Sequence, residues 1–277
     1  MSKSENEGVG NERRGESGNY VIRQSPDSLI PDSLVPDSPI PRRGVPSLVW
    51  RAGQERRWAM IREAAGDRLA GGCALDAGCG VGIYMRAFGQ FTPHVFGVEI
   101  EGERAREALS DSAVAQSPAE TLPFADDVFD LVLSHEVIEH VADDRASVVE
   151  MVRVLKVGGR LLLFCPNRLY PLETHGHYWR GRYHFGNTPF INYLPERLRN
   201  RLAPHVRAYT SKDVRALFEG LPVHIALHTQ IYPGYDNIVA RRPALGQLLR
   251  QVTYGLERTP LRGFGLSHFL VAEKTSG

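Results

Sequence analysis

Leu75-Asp76-Ala77-Gly78-Cys79-Gly80-Val81-Gly82 puts an acidic residue at the end of a short apolar run, with three glycines at alternate positions behind it. Cys73-Ala74-Leu75 leads in as a strand, and Ile83 to Phe88 follows as a helix. Glycines let the backbone bend sharply and approach a ligand with no Cβ in the way. Further on, His94 to Val98 reads as a second strand ending at Glu99. A carboxylate there can accept hydrogen bonds from both hydroxyls of a ribose. The residues therefore describe a nucleoside pocket at the carboxyl ends of parallel strands.

The glycine spacing narrows the ligand. A dinucleotide site reads G-x-G-x-x-G, its third glycine packing helix on strand. Here the spacing is G-x-G-x-G, with Asp76 two residues before the first glycine. No P-loop lysine follows, which disfavours a nucleoside triphosphate. Asp76 would repel a pyrophosphate and suits a cation. On these residues the chain resembles the class I S-adenosylmethionine-dependent methyltransferases, in the broad group that includes the ubiquinone-biosynthesis methyltransferases. The resemblance runs from about Cys73 to Asn167. It implies an α/β fold: a doubly wound, seven-stranded, mostly parallel sheet with an antiparallel last strand, plus insertions after strands 5 and 6. It also implies S-adenosylmethionine as cofactor, touched by Asp76, Gly78, Gly80, Gly82, Glu99, Ile100, Ala119, Glu120 and Ser134.

Ala119-Glu120-Thr121-Leu122-Pro123-Phe124 fits the next family motif, with one departure. Relatives carry an Asp that reaches the adenine amino group where this chain has Pro118, so that contact falls to Ser117, to backbone near Ala119 or to apolar packing. Phe129 to Ser134 is an apolar run of central-strand length. His135-Glu136-Val137-Ile138-Glu139-His140-Val141 begins where it ends, so its side chains flank the methyl position. Asp144 to Leu155 carries an amphipathic helical stripe, ended by Gly158-Gly159, and Arg160 to Cys165 is the fifth strand.

If the segment after the fourth strand is helical, Glu136, Glu139 and His140 share one face. The pattern E-x-x-E-H resembles that of small-RNA 2′-O-methyltransferases and ubiquinone O-methyltransferases, where it binds a divalent metal. That resemblance implies a Mg²⁺, Mn²⁺ or Zn²⁺ site on Glu136, Glu139 and His140, with His205, before Tyr209-Thr210, as fourth ligand. Without a metal, the general-base candidates are His140, His175 and His177, because imidazole titrates near neutral pH.

The chain has 277 residues, 42% hydrophobic and 23% charged, enough for one core of about 200 residues plus additions. A net charge of +1 makes no global case for nucleic acid. RNA 2′-O-methylation is therefore the alternative to a small-molecule, sugar or lipid-linked acceptor, and a non-catalytic methyltransferase-like binding protein is a third reading. Cys73, Cys79 and Cys165 form no C-x-x-C, which with the absence of a leader-like apolar segment gives the expectation of a reduced, cytoplasmic protein.

Residues 1–47 stand apart from a methyltransferase domain expected over 48–277. Pro26-Asp27-Ser28, Pro31-Asp32-Ser33 and Pro36-Asp37-Ser38 repeat every five residues, and such prolines forbid helix and block sheet pairing. Trp50 to Leu69 reads as a helix before the core, and the resemblance implies that it lies over the cofactor. Residues 168–209 are rich in aromatics, histidines and arginines, as suits a lid or substrate wall. Ser211 to Leu221 is then a helix, Val223 to Ile231 the sixth strand, and Leu266 to Glu273 the last strand. Residues 233–262 form a second insertion in which Leu245, Leu248, Leu249 and Val252 share a helical face beside several arginines. This stripe is expected to pack on the protein's own core; contact of 241–262 with an anionic membrane surface is the alternative.

Overall fold

The structure is a computed structural model that describes residues 52–109 and 113–277. The proline repeat and the boundary at residue 47 lie outside the described residues.

Helix α1 (Ala52–Ala65) precedes strand β1 (Ala74–Ala77), helix α2 (Ile83–Phe88), strand β2 (Val95–Glu99), helix α3 (Gly102–Ala108) and strand β3 (Ala113–Gln116). Strand β4 (Phe129–His135), helix α4 (Asp144–Val154) and the long strand β5 (Leu155–Pro166) follow. The first insertion carries four short strands, β6 (Leu172–Glu173), β7 (His177–Trp179), β8 (Arg182–His184) and β9 (Thr188–Pro189), and helix α5 (Glu196–Leu202). Helix α6 (Ser211–Ala216), strand β10 (Val223–Ile231), helices α7 (Asp236–Arg241) and α8 (Pro243–Leu256), and strand β11 (Ser267–Lys274) complete the chain.

Seven strands form one sheet in the order β10-β11-β5-β4-β1-β2-β3. β1 pairs in parallel with both β2 and β4, and β11 is antiparallel to both its neighbours. This is the expected doubly wound sheet with an antiparallel last strand, and the two insertions follow the fifth and sixth strands of that sheet, β5 and β10. Alternate residues of the central strands feed opposite layers, as the pleat requires. Val132, Leu161 and Leu163 pack with Val148, Met151 and Val152 of α4. Leu131, Leu133, Leu162 and Phe164 pack with Trp58 and Ile61 of α1 and Met85 and Phe88 of α2. Every Cys is buried and unpaired.

Several local expectations change. Gly158-Gly159 does not end α4; it lies inside β5, Gly158 with φ +82°. The α6 helix is shorter than 211–221 and starts with a capping box: the Thr210 hydroxyl accepts from the Asp213 N–H, and the Asp213 carboxylate accepts from the Thr210 N–H. Most of the α8 stripe does not pack on the core: Leu249 is half-buried, but Leu245, Leu248 and Val252 are exposed. No helix among the described residues is long and apolar enough to cross a membrane.

Candidate functional site

The carboxyl ends of β1, β2 and β4 bring together the residues singled out in the sequence. Gly78 has φ +89°, and a Cβ there would lie 2.4 Å from Val137 Cγ2, so the glycine turn packs directly against the segment after β4. Gly80 also lies in the left-handed region, at φ +55°, and a Cβ on it would meet nothing within 4 Å. The first glycine is needed for contact, the second for backbone shape beside open space.

Glu99 ends β2 almost buried. Its Oε2 accepts from the Gly80 N–H at 2.9 Å and its Oε1 from the Glu101 N–H at 2.9 Å. A carboxylate has about four acceptor sites, so about two remain for a ribose. Asp76 lies behind it, 2% exposed, and burial first and the Glu99 charge second push its pKa up to about 7. Ile100 is 57% exposed beside Glu99, as an apolar contact for a base requires. The donor and acceptor set therefore fits S-adenosylmethionine at Asp76, the glycine turn, Glu99 and Ile100. Ala119 is buried nearby.

Two expected cofactor residues are otherwise placed. Glu120 Oε1 accepts from the backbone N–H groups of Ala142, at 2.8 Å, and Asp143, at 3.3 Å. It ties the loop before β4 to the start of α4. Ser134 is fully buried in β4, and its hydroxyl has no hydrogen-bond partner. It points to the α4 side of the sheet by strand alternation, whereas His135 points to the α1 and α2 side.

The segment after β4 is not a helix. Glu136 adopts φ +56°, a strained region for a residue with a Cβ, and the chain then forms a turn closed by His140 N–H to Val137 C=O at 2.9 Å. This separates the roles of the two glutamates. Glu136 Oε1 accepts from Arg57 at 3.0 Å and from the Ser267 hydroxyl at 2.7 Å. Burial alone would raise its pKa, but the Arg57 guanidinium and the Ser267 hydroxyl outweigh it and hold Glu136 down at about 2. His135, buried and facing Arg57, falls to about 3 and is neutral.

Glu139 is 1% exposed, and both its carboxyl oxygens are buried with no N–H or O–H group donating to them. Burial, then the nearby Glu136 charge, raise its pKa well above the ordinary value. His140 Nε2 lies 3.9 Å from Glu139 Oε1, while its Nδ1 faces the His205 carbonyl at 3.2 Å. His175 completes the group: one ligand atom from each of Glu139, His140 and His175 lies within 4.8 Å of the others. The expected four-ligand set of Glu136, Glu139, His140 and His205 is thus replaced. Glu136 is held by Arg57 and Ser267, and the His205 ring turns its Nε2 to the His175 carbonyl at 3.1 Å, so His175 takes the place given to His205. His177 is outside the cluster; it stacks on His184 at 5.3 Å and meets Thr188.

The insertion reaches the site through residues that sequence reasoning missed. Glu173 Oε1 accepts from the His175 backbone N–H at 2.9 Å and faces its Nδ1 at 3.2 Å. Glu173 Oε2 meets Arg199 at 3.1 Å, and both side chains are 2% exposed. Arg199 also donates to the Val206 carbonyl and to Asn192 Oδ1. The only signal in sequence was Glu173 two residues before a histidine, in a segment with abundant arginine. His140 presents its Nε2 to Glu139, and Glu173 occupies the Nδ1 of His175.

A family profile described as a methyltransferase domain matches residues 75–163. A probable S-adenosylmethionine-dependent methyltransferase of Mycolicibacterium smegmatis is 32% identical over 136 residues, 46% of this chain and 51% of that protein. A demethylmenaquinone methyltransferase of Thermobifida fusca is 32% identical over 122 residues, 40% of this chain and 50% of that protein. The chain thus spans about half the length of these curated relatives. Among solved structures, an S-adenosylmethionine-dependent methyltransferase from Mesorhizobium loti aligns with TM-score 0.57 at 17% identity, covering 79% of this chain and 97% of that one. That likeness supports the fold.

Proposed function

From a chain whose residues 75–163 form a class I S-adenosylmethionine-dependent methyltransferase domain, we propose an enzyme that methylates an oxygen of a small or lipid-linked acceptor bound over Glu139, His140 and His175. The observation that carries this reading is the buried cluster itself. A buried carboxyl to which no N–H or O–H group donates and two imidazoles converge beside the glycine turn, at the carboxyl end of β4. S-adenosylmethionine, when bound, supplies a methyl group already activated on a sulfonium. The chain must align a nucleophile, take its proton and exclude water.

His140 and His175 are the groups placed to take a hydroxyl proton. Glu173 orients the His175 ring and favours its Nδ1–H tautomer, which leaves Nε2 as the base. The first insertion supplies His175 to this side of the site. Glu136, tied to Arg57 and Ser267, holds the turn in its strained form.

The same three residues suit a divalent cation. Their donor set is one carboxylate and two imidazoles, and the 3.9 Å between His140 and Glu139 is a few tenths of an ångström wider than the about 3.3–3.6 Å that two bonds of about 2.0–2.2 Å span at a tetrahedral angle. A metal there would polarise the acceptor oxygen and lower its pKa. Binding must release the proton that burial keeps on Glu139, so affinity should rise with pH. Thermal melting with zinc or manganese chloride checks this: a rise in Tm of several degrees, lost in Glu139→Gln, is expected, and no shift with either ion removes the metal.

The acceptor is tested with methyl-labelled S-adenosylmethionine and an extract separated into polar metabolites, lipids and RNA. Label in the lipid or metabolite fraction, abolished by His175→Ala together with His140→Ala, is the expected result. Label confined to RNA, or none in any fraction, would overturn the proposed acceptor class.

A further inference from the structure

The second insertion folds into a helical hairpin whose inner face is fastened and whose outer face is bare. A Cβ on Gly246 would lie 2.4 Å from Val239, so α7 and α8 touch backbone to backbone. Arg250 of α8 pairs with Asp236 at 2.9 Å. Tyr254 lies under the Arg56 guanidinium at 3.8 Å, and Glu257 pairs with the same arginine and accepts from the Tyr232 N–H at 2.7 Å. These contacts fix how α8 is rotated about its axis. The face left outside carries Leu245, Leu248 and Val252, exposed by 43%, 56% and 52%. Their spacing of three and four residues makes them one continuous stripe. Leu261 and Phe264 are exposed on the turn that follows.

The charge around this stripe has one sign. Arg241 and Arg242 are exposed where α8 begins, and Arg258 and Arg262 just after it ends. None of the four has an ion-pair partner among the described residues. The acidic residues of the segment, Asp236 and Glu257, are both consumed by Arg250 and Arg56. A chain of net charge +1 thus gathers four exposed arginines around one apolar face. Beneath the hairpin a cleft lined by Arg56, Tyr232, Asp236 and Tyr254 runs to Arg57 and His135, at the end of β4.

We propose that α8 is a peripheral docking face for an anionic lipid bilayer: Leu245, Leu248 and Val252 enter the interface, and Arg241, Arg242, Arg258 and Arg262 meet the headgroups. Burial of an aliphatic stripe and attraction of basic residues to anionic lipid act together in such helices. Nucleic acid fits less well, because aliphatic side chains neither stack on bases nor meet phosphates. The docking stands on the hairpin alone and does not depend on the transfer chemistry.

Vesicle co-sedimentation of the full chain tests it, read apart from any activity. The probes are vesicles of phosphatidylcholine alone and of equal parts phosphatidylcholine and phosphatidylglycerol. The wild-type protein is expected to sediment with the mixed vesicles at low salt, to leave them at high salt, and to ignore phosphatidylcholine. Leu248→Asp with Val252→Asp, and separately Arg258→Glu with Arg262→Glu, should each weaken binding by about tenfold or more. These side chains are exposed, so Tm and circular dichroism should match the wild type. No sedimentation of the wild type, or equal binding by both variants, would overturn the proposal. So would a dimer that Leu248→Asp converts to a monomer in the absence of vesicle binding, which would assign the stripe to a second copy of the chain.

Discussion

Asp76 and Glu99 share a buried corner in which two full negative charges are costly, and the proton that relieves the cost resides on Asp76 up to about pH 7. The sign follows. The folded-state pKa lies above the unfolded value, so the stability this proton confers is complete below about pH 4 and is lost as pH rises through about 7. A ligand bearing a cation needs the opposite state, the ionised carboxylate. Affinity for S-adenosylhomocysteine, which keeps the ammonium, should therefore rise between about pH 5.5 and about pH 7, approaching tenfold per unit. Calorimetry at those two values checks it, and affinity independent of pH would contradict it. Asp76→Asn should lose this dependence, bind more weakly, and melt higher than the wild type above neutral pH, because the buried corner then holds one charge. Glu99→Ala should weaken binding by about 1.5–3 kcal/mol, the range for hydrogen bonds to a charged group.

At the scale of elements, the β1 turn and the first insertion carry different risks. Gly78→Ala combines a left-handed φ with a 2.4 Å approach to Val137. It should cost about 1–3 kcal/mol in stability and displace the turn after β4. A urea midpoint unchanged from wild type would contradict the contact. Glu173→Ala leaves Arg199 charged and buried, which typically costs about 3–5 kcal/mol; the same denaturation experiment reads it. These two sites also mark how far the sequence was legible. Strands β1, β2 and β4 and the turn between β1 and α2 could be read because apolar runs, alternate glycines and Glu99 each have one local meaning. The segment from Glu136 to His140 could not. Its E-x-x-E-H spacing suits a helix, but Arg57 and Ser267, from elements far along the chain, hold Glu136 at positive φ. His175 replaced His205 for a similar reason: short strands and a buried ion pair place it, and these are tertiary facts with no periodic signature. The α8 stripe was read correctly as helical, but hydrophobic spacing does not say which way a face turns. The Arg56 contacts with Tyr254 and Glu257 decide that.

Across the described residues, the seven-stranded sheet with helices on both faces gathers its chemistry at the carboxyl ends of its central strands. β1 and β4 are hydrogen-bonded neighbours, so the nucleoside corner at Asp76 and Glu99 and the cluster at Glu139, His140 and His175 are adjacent by topology. The first insertion supplies His175 and its Glu173–Arg199 support, and the second borders the cleft at His135. The nucleoside corner is the part on which the rest depends, since methyl transfer has no meaning without its donor. Isothermal titration calorimetry of the purified chain with S-adenosylmethionine and S-adenosylhomocysteine, run beside NAD, tests that dependence directly. The account predicts saturable heat with both sulfur ligands, weakened by Glu99→Ala, and none with NAD. Heat with NAD and none with either sulfur ligand would contradict it.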